Sequence, residues 1–274
     1  MTFPSLPLGD GPALAASFAA VIVLFTAIWA IHVKIEDASI VDYVWGPGFV
    51  LAGAVAALTM ETRTWVAVSL LGAVALWAIR LTVHLVGRHQ GSGEDPRYRA
   101  MREAGGATFW RRALWSVFWL QAVILWLLAL PLVASFRWAA AEPVTAAVIA
   151  GFALFAAGLV IETVADRQLA TWRRDPRNAG KLLTRGLFAW SRHPNYFGEA
   201  LLWWGIGLAA AGITRSALPL LSPLAITALL LFVSGIPLVE RRMAAARPDY
   251  AAWRAATSPF VPMPPRLWRA LRGK

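Results

Sequence analysis

Residues 143–174 read PVTAAVIAGFALFAAGLVIETVADRQLATWRR. The run over 143–165 is predominantly apolar and close to the roughly 20 residues a helix needs to cross about 30 Å of hydrocarbon. Six further runs of this kind lie at 12–33, 44–60, 64–86, 113–135, 196–214 and 218–239. The second is the least regular, because Gly46, Pro47 and Gly48 loosen its start. Composition agrees with the runs. Hydrophobic residues make up 58%, charged residues 15%, and the mean hydropathy is +0.57. A soluble domain carries about 25% charged residues, so a particle of this size could not cover itself with so few. The 15 Trp suit headgroup interfaces. The expected fold is all-α: a polytopic integral membrane protein, one domain over residues 1–274 built as a bundle of seven transmembrane helices. Residues 1–10 lack a positive leader region, so no cleavable signal is expected. Cys is absent, which excludes disulfides, Cys-ligated zinc and cysteine nucleophiles.

Net charge is +11, a balance that in a soluble protein points to nucleic acid. Seven spans distribute it otherwise. On one side fall 22 of the 26 Lys and Arg residues; Arg63, Arg137 and Arg215 fall on the other, and Arg80 lies within a span. The positive-inside rule puts the rich side in the cytoplasm, the N-terminus outside and the C-terminus inside. The charge then serves topology and anionic membrane lipid, and no nucleic-acid partner is expected. The outer connections, around 61–63, 137–142 and 214–217, are short. The inner ones, 87–112, 166–195 and the tail from Arg241, are long, and long loops on a rigid scaffold carry function. The site is expected to open to the cytoplasm.

Two stretches carry candidate chemistry. In 162–173, Glu162 and Asp166 are four residues apart and Asp166 and Arg173 seven, so the three share a helical face. A salt-bridged helix end would produce the same pattern. Glu162, however, directly follows the apolar Gly158-Leu159-Val160-Ile161, where a carboxylate is costly unless it faces a polar cavity. The functional reading gives the acids ribose or amide donors to bind and gives Arg173 a phosphate. The second stretch is GLFAWSRHPNYFGE at 186–199. Pro194 can start a helix capped by Ser191 or His193, which places Asn195 and Glu199 on its first turns with Arg192 and His193 just outside. A basic interfacial loop explains Arg192 and Pro194, but not Glu199 at the head of the run Leu201-Leu202-Trp203-Trp204.

The run SRHPNYFGE at 191–199 resembles the signature of the steroid 5α-reductase C-terminal family, in particular its bacterial DUF1295 branch. The resemblance extends to Glu162, Asp166 and Arg173, to EDPRY at 94–98, and to Ser234-Gly235-Ile236-Pro237 and the tail from Tyr250 to Pro262. It implies seven helices enclosing NADPH near the cytoplasmic side of a bacterial inner membrane, with a lipidic substrate entering from the bilayer. It also implies cofactor-binding roles for Asp166, Arg173, Asn195 and Glu199, with Glu162, Arg192, His193, Tyr196, Arg97 and Tyr98 as neighbouring candidates. At the catalytic end the chain departs from the animal steroid reductases. Asp42 in IVDYVW approximates their acid, Trp77 falls near where their Tyr is expected, and Tyr43 is the alternative phenol.

What these resemblances imply is NADPH-dependent reduction of a C=C bond conjugated to a carbonyl in a steroid-like or other lipidic enone, with Asp42 or Tyr43 stabilising the developing oxygen. Membrane methyltransferases of the isoprenylcysteine and phospholipid type share the Arg-His-Pro-x-Tyr-x-Gly run and bind S-adenosylmethionine, which makes them the alternative. Asn195 with Glu199 and the Asp166/Arg173 spacing favour the reductase, because NADP carries phosphates that call for cations. Other templates fail: the chain has no Gly-x-Gly-x-x-Gly after a strand and no Gly-x-Ser-x-Gly. Its four His lack metal-motif spacing, so no metal is expected.

Overall fold

The computed structural model describes residues 11–60, 63–89, 93–137 and 144–272. The expectation for residues 1–10, most of the connections at 61–63 and 137–142, and Lys274 lie outside them. Among the described residues the protein is helical, with one isolated bridge between Ser191 and Ser258. Seven helices are long and apolar enough to cross a membrane: Gly11–Ile35, Ala38–Thr59, Trp65–Arg88, Pro96–Arg137, Ala146–Arg174, Pro194–Thr214 and Leu218–Ala246. Each contains or overlaps one run read from the sequence. Their outer faces are apolar and uncovered. Trp65, Val68, Leu76, Ile79 and Val83, for example, form an exposed stripe that lipid would cover.

The chain divides into two compact units. The first comprises Met1–Thr145 and Ala210–Pro219. It contains α1 (Gly11–Ile35), a 3-10 turn at Ala38–Val44 leading into α2 (Trp45–Thr59), and α3 (Trp65–His89). Then follow α4 (Pro96–Gly105), α5 (Phe109–Ala113), a π-helical stretch at Leu114–Trp119 and α6 (Leu120–Arg137). Phe25, Phe49, Trp77, Phe118, Leu125 and Phe136 fill its core. The glycines that loosen the second run in sequence have a packing role. A Cβ on Gly46 would stand 2.8 Å from the Ala78 carbonyl, and one on Gly48 would stand 2.7 Å from a Leu125 methyl, so α2 approaches α3 and α6 more closely than larger residues permit.

The expectation of a long loop over 87–112 is corrected here: residues 96–113 are almost wholly helical. Asp95 caps α4 by accepting from the Arg97 amide at 2.8 Å, and Pro96 stands at the first helical position. Both are start signals within a segment whose polarity hides them.

The second unit comprises Ala146–Ala209 and Leu220–Lys274. It contains α7 (Ala146–Arg174), most of α8 (Pro194–Thr214), α9 (Leu221–Ala228), a π-helical stretch at Leu229–Val233 and α10 (Ile236–Ala246). Two short helices, α11 (Tyr250–Ala256) and α12 (Pro265–Arg272), follow in the tail. A seam of glycines joins α7 to α8. A Cβ on Gly158 would lie 2.6 Å from the Gly198 carbonyl, and one on Gly151 would lie 2.7 Å from the Gly205 carbonyl. Seven-residue spacing on both helices keeps these glycines in register, and hydrogen side chains let the two backbones touch. The seam continues toward the C-terminal end of α7, where a Cβ on Gly198 would meet the Glu162 backbone nitrogen at 2.5 Å.

Candidate functional site

The glycine seam assembles the first candidate site. It brings the C-terminal half of α7 against the first turns of α8, so an acid from one helix meets an amide from the other. Glu162 and Asp166 are 3% and 6% exposed. The Asn195 side-chain amide donates to Asp166 Oδ1 at 3.2 Å. Glu199, half-buried, lies four residues beyond Asn195 on α8. Tyr196 stacks on His193 with ring centroids 5.6 Å apart and planes 12° from parallel. Arg173, two helical turns beyond Asp166, is exposed.

The loop before α8 is held by the C-terminal tail. Ser191 is fully buried; its hydroxyl donates to the Phe260 carbonyl at 2.7 Å and accepts from the His193 amide at 3.1 Å. The Arg192 amide donates to the Ser258 carbonyl at 2.8 Å, and the Met263 amide to the Trp190 carbonyl at 3.0 Å. The Arg192 guanidinium is buried. Its Nε donates to Glu240 Oε1 at 2.7 Å, and its Nη1 to the carbonyls of Arg254 and Thr257 at 2.9 and 2.6 Å. His193 Nε2 lies 3.2 Å from the same Glu240 oxygen. Arg192 and His193, which sequence places beside a cofactor, are therefore engaged by the protein itself. Burial lowers the His193 pKa from its ordinary value, despite the opposing pull of Glu240. Burial, reinforced by the Glu240 charge, pushes the Tyr250 phenol up to about 12. Glu240 is thus the hub of the clamp.

The first unit carries a second polar constellation, in which the turn before α2 receives α4. Asp42 Oδ2 accepts from Arg97 Nη2 at 2.9 Å, and its Oδ1 accepts from the Tyr98 hydroxyl at 2.7 Å. Gln121 Nε2 donates to that hydroxyl at 3.2 Å, and Trp45 Nε1 donates to Gln121 Oε1 at 2.7 Å. Arg97 Nε also reaches Asp95 Oδ1 at 3.0 Å. Glu94 Oε1 accepts from the Ala38 amide at 3.3 Å, while its Oε2 pairs with Arg102 at 2.8 Å. The whole EDPRY run is thereby fastened to the turn. Tyr43 is half-buried, and its carbonyl accepts from the Thr82 hydroxyl at 3.4 Å. Both Asp42 oxygens thus accept hydrogen bonds, so the side chain is fixed in orientation by Arg97 and Tyr98.

A family profile described as a protein of unknown function (DUF1295) matches residues 28–257. The chain belongs to the DUF1295 family. The match spans both units and both constellations. Among curated proteins, the chain is similar to a probable O-methyltransferase, ustE, of Ustilaginoidea virens, with 41% identity over 63 residues. That stretch is 23% of this chain and 22% of the fungal protein, so the chain spans well under two thirds of that relative. No solved structure matches.

Sequence reasoning placed Asp42, Arg97 and Tyr98 in different roles, and the structure joins them in one network. It also sets Asn195 of α8 against Asp166 of α7, one turn from the buried Glu162, while Arg173, expected on the same helical face as the two acids, is exposed. Glu240, Gln121 and Trp45 were missed. Glu240 sits in a helix that reads as the inner end of a span, beside Arg241 and Arg242, and lies 48 residues from Arg192. Its only sequence signal is an acid within a basic run.

Proposed function

We propose that this protein is a membrane-embedded reductase that uses NADPH to saturate a C=C bond conjugated to a carbonyl in a lipidic substrate. The observation that carries this reading is the pair of buried acids Glu162 and Asp166 at the α7–α8 seam, with the half-buried Asn195 donating to Asp166. Carboxylates at such depth are costly unless donors meet them, and the hydroxyls of a ribose and the amide of a nicotinamide are such donors. Asn195 can donate and accept, and Glu199 extends the acidic face by one turn. Arg173, beyond the apolar part of α7, is the cation assigned to a phosphate. Arg192 and His193 act by holding the loop in place through Glu240, while Tyr196 adds an aromatic face. NADPH, when bound, would supply the hydride; a proton completes the addition across the double bond. In the other unit, Asp42 is the orienting carboxylate of a network that also holds Arg97 and Tyr98. The phenol of Tyr43 is the group assigned to donate to the developing substrate oxygen.

The excess of Lys and Arg in the long connections supports a cytoplasmic opening for this site, by the positive-inside rule. The test is NADPH consumption followed by absorbance over a panel of lipidic enones, with Asp42→Asn and Tyr43→Phe beside the parent. Turnover should fall by at least about tenfold in one or both while NADPH affinity is kept, as expected for groups that act only on the transition state. Normal turnover in both variants would remove this assignment. A second reading, transfer of a methyl group from S-adenosylmethionine, is favoured by the fungal relative's name. The acidic lining would also suit a sulfonium.

A further inference from the structure

A cleft of about 460 Å³ lies in the second unit, between α7 and the loop that follows it. Val164, Arg167, Gln168, Thr171, Trp172 and Arg185 line it. This is a different face of α7 from the one that carries Glu162 and Asp166. From these residues the geometry points to a binding site for one anionic phospholipid, with its phosphate between Arg167 and Arg185 and its acyl chains along the outer face of α7.

Three observations carry the assignment. The cleft has cations with donors to give. Several arginines are engaged by acids: Arg97 by Asp42, Arg102 by Glu94, Arg177 by Asp175 and Arg192 by Glu240. Arg167 is exposed and makes no hydrogen bond or ion pair among the described residues. Arg185 lies with its guanidinium over the Trp172 ring, 4.7 Å from the centroid, which orients its plane and leaves its edge for a phosphate. Asp175, an acid that feels the Arg185 charge, is itself held by Arg177 at 2.8 Å.

The cleft is also built in advance. Gly186 takes a φ of +62°, and the place of its absent Cβ is filled by the Gln168 side chain, whose Oε1 accepts from the Leu187 amide at 3.0 Å. Any other residue at 186 would be strained and would push the loop off the helix. At about 460 Å³ the space falls within the usual range of ligand pockets. Finally, the cleft has an apolar exit on one side. Val160, 61% exposed, and Val164, 38% exposed, are one turn apart on α7 and lead from the cleft along the span. A free phosphate has no use for that stripe, whereas a phospholipid does. Trp172, in the last turn of α7, supplies an indole of the kind that favours the headgroup layer.

The experiment is native mass spectrometry of the full chain released from nanodiscs containing equal parts of palmitoyl-oleoyl phosphatidylglycerol and phosphatidylcholine. The parent should retain phosphatidylglycerol selectively. The Arg167→Gln/Arg185→Gln double variant should retain it on the order of 30-fold less, since each cation near a lipid surface contributes about fivefold. Equal retention by parent and variant, or no preference between the two lipids, overturns the proposal. Excess inorganic phosphate should not displace the lipid; displacement would mean a site for phosphate alone. NADPH should not displace it either; displacement would make the cleft part of the cofactor site. Should the double variant fold poorly, the parent decides by its melting temperature in non-ionic detergent. It should rise with phosphatidylglycerol and not with phosphatidylcholine, and an equal response to both lipids refutes the site.

Discussion

Replacing Gly158 by Ala tests the seam that assembles the α7–α8 site. The new Cβ would stand 2.6 Å from the Gly198 carbonyl oxygen and 2.9 Å from the Leu202 Cα. Carbon–oxygen contacts of this kind settle at about 3.3–3.6 Å, so the helices must part by roughly 0.7 Å or more. Every overlapping atom is backbone, so no rotamer change relieves it. Overpacking of this kind costs about 1–3 kcal/mol. Against it stands the gain of about 1 kcal/mol that Ala has over Gly inside a helix. Gly72→Ala on α3 supplies the control, because a Cβ there meets nothing within 4 Å. The propensity gain is common to both variants and cancels in their difference, which then reads the steric term alone. Gly72→Ala should stabilise slightly, and Gly158→Ala should be less stable than it by about 1–3 kcal/mol. At roughly 2–4 °C per kcal/mol for a chain of this size, the two melting curves should separate by several degrees. Tryptophan fluorescence of the detergent-solubilised proteins during heating reads the difference. If both variants shift alike, the backbones of α7 and α8 do not touch and the site is not assembled by this seam.

Two further outcomes follow from the same structure. Because burial holds the His193 pKa below its ordinary value, the folded state binds fewer protons than the unfolded one. Its contribution to stability is therefore full above about pH 6.5 and is lost as pH falls toward the folded value. Melting temperature against pH should decline over that interval in the parent and decline less in His193→Gln; identical slopes would contradict this. For topology, reporter tags at the N-terminus and at residue 138 should be outside and a tag at Lys274 cytoplasmic. A cytoplasmic N-terminus would mean that the spans do not alternate as counted.

The seven spans were legible because roughly twenty apolar residues in a row have few other fates. Their interior was less so. Gly46 and Gly48 read as defects in a span, yet they are where α2 meets its neighbours, since a glycine that weakens a helix and one that lets two helices touch look alike in one dimension. The helix over 96–105 was hidden by its polarity, although Asp95-Pro96 marks its start. Asp166 and Asn195 were legible as site candidates because carboxylates and amides beside apolar runs are unusual. The clamp around Glu240 was not, because its partners are 47 and 48 residues away and nothing local signals them. The tight Asp42–Tyr98 contact likewise spans 56 positions.

The central claim, that the α7–α8 face binds NADPH, is tested most directly by isothermal titration of the purified protein with NADPH and, separately, with S-adenosylmethionine. The account predicts binding of NADPH and none of S-adenosylmethionine. It also predicts that Arg173→Ala weakens NADPH by about tenfold to 150-fold, the usual range for losing a charge-assisted contact. Binding of S-adenosylmethionine alone would contradict it, and so would NADPH binding that Arg173→Ala leaves unchanged.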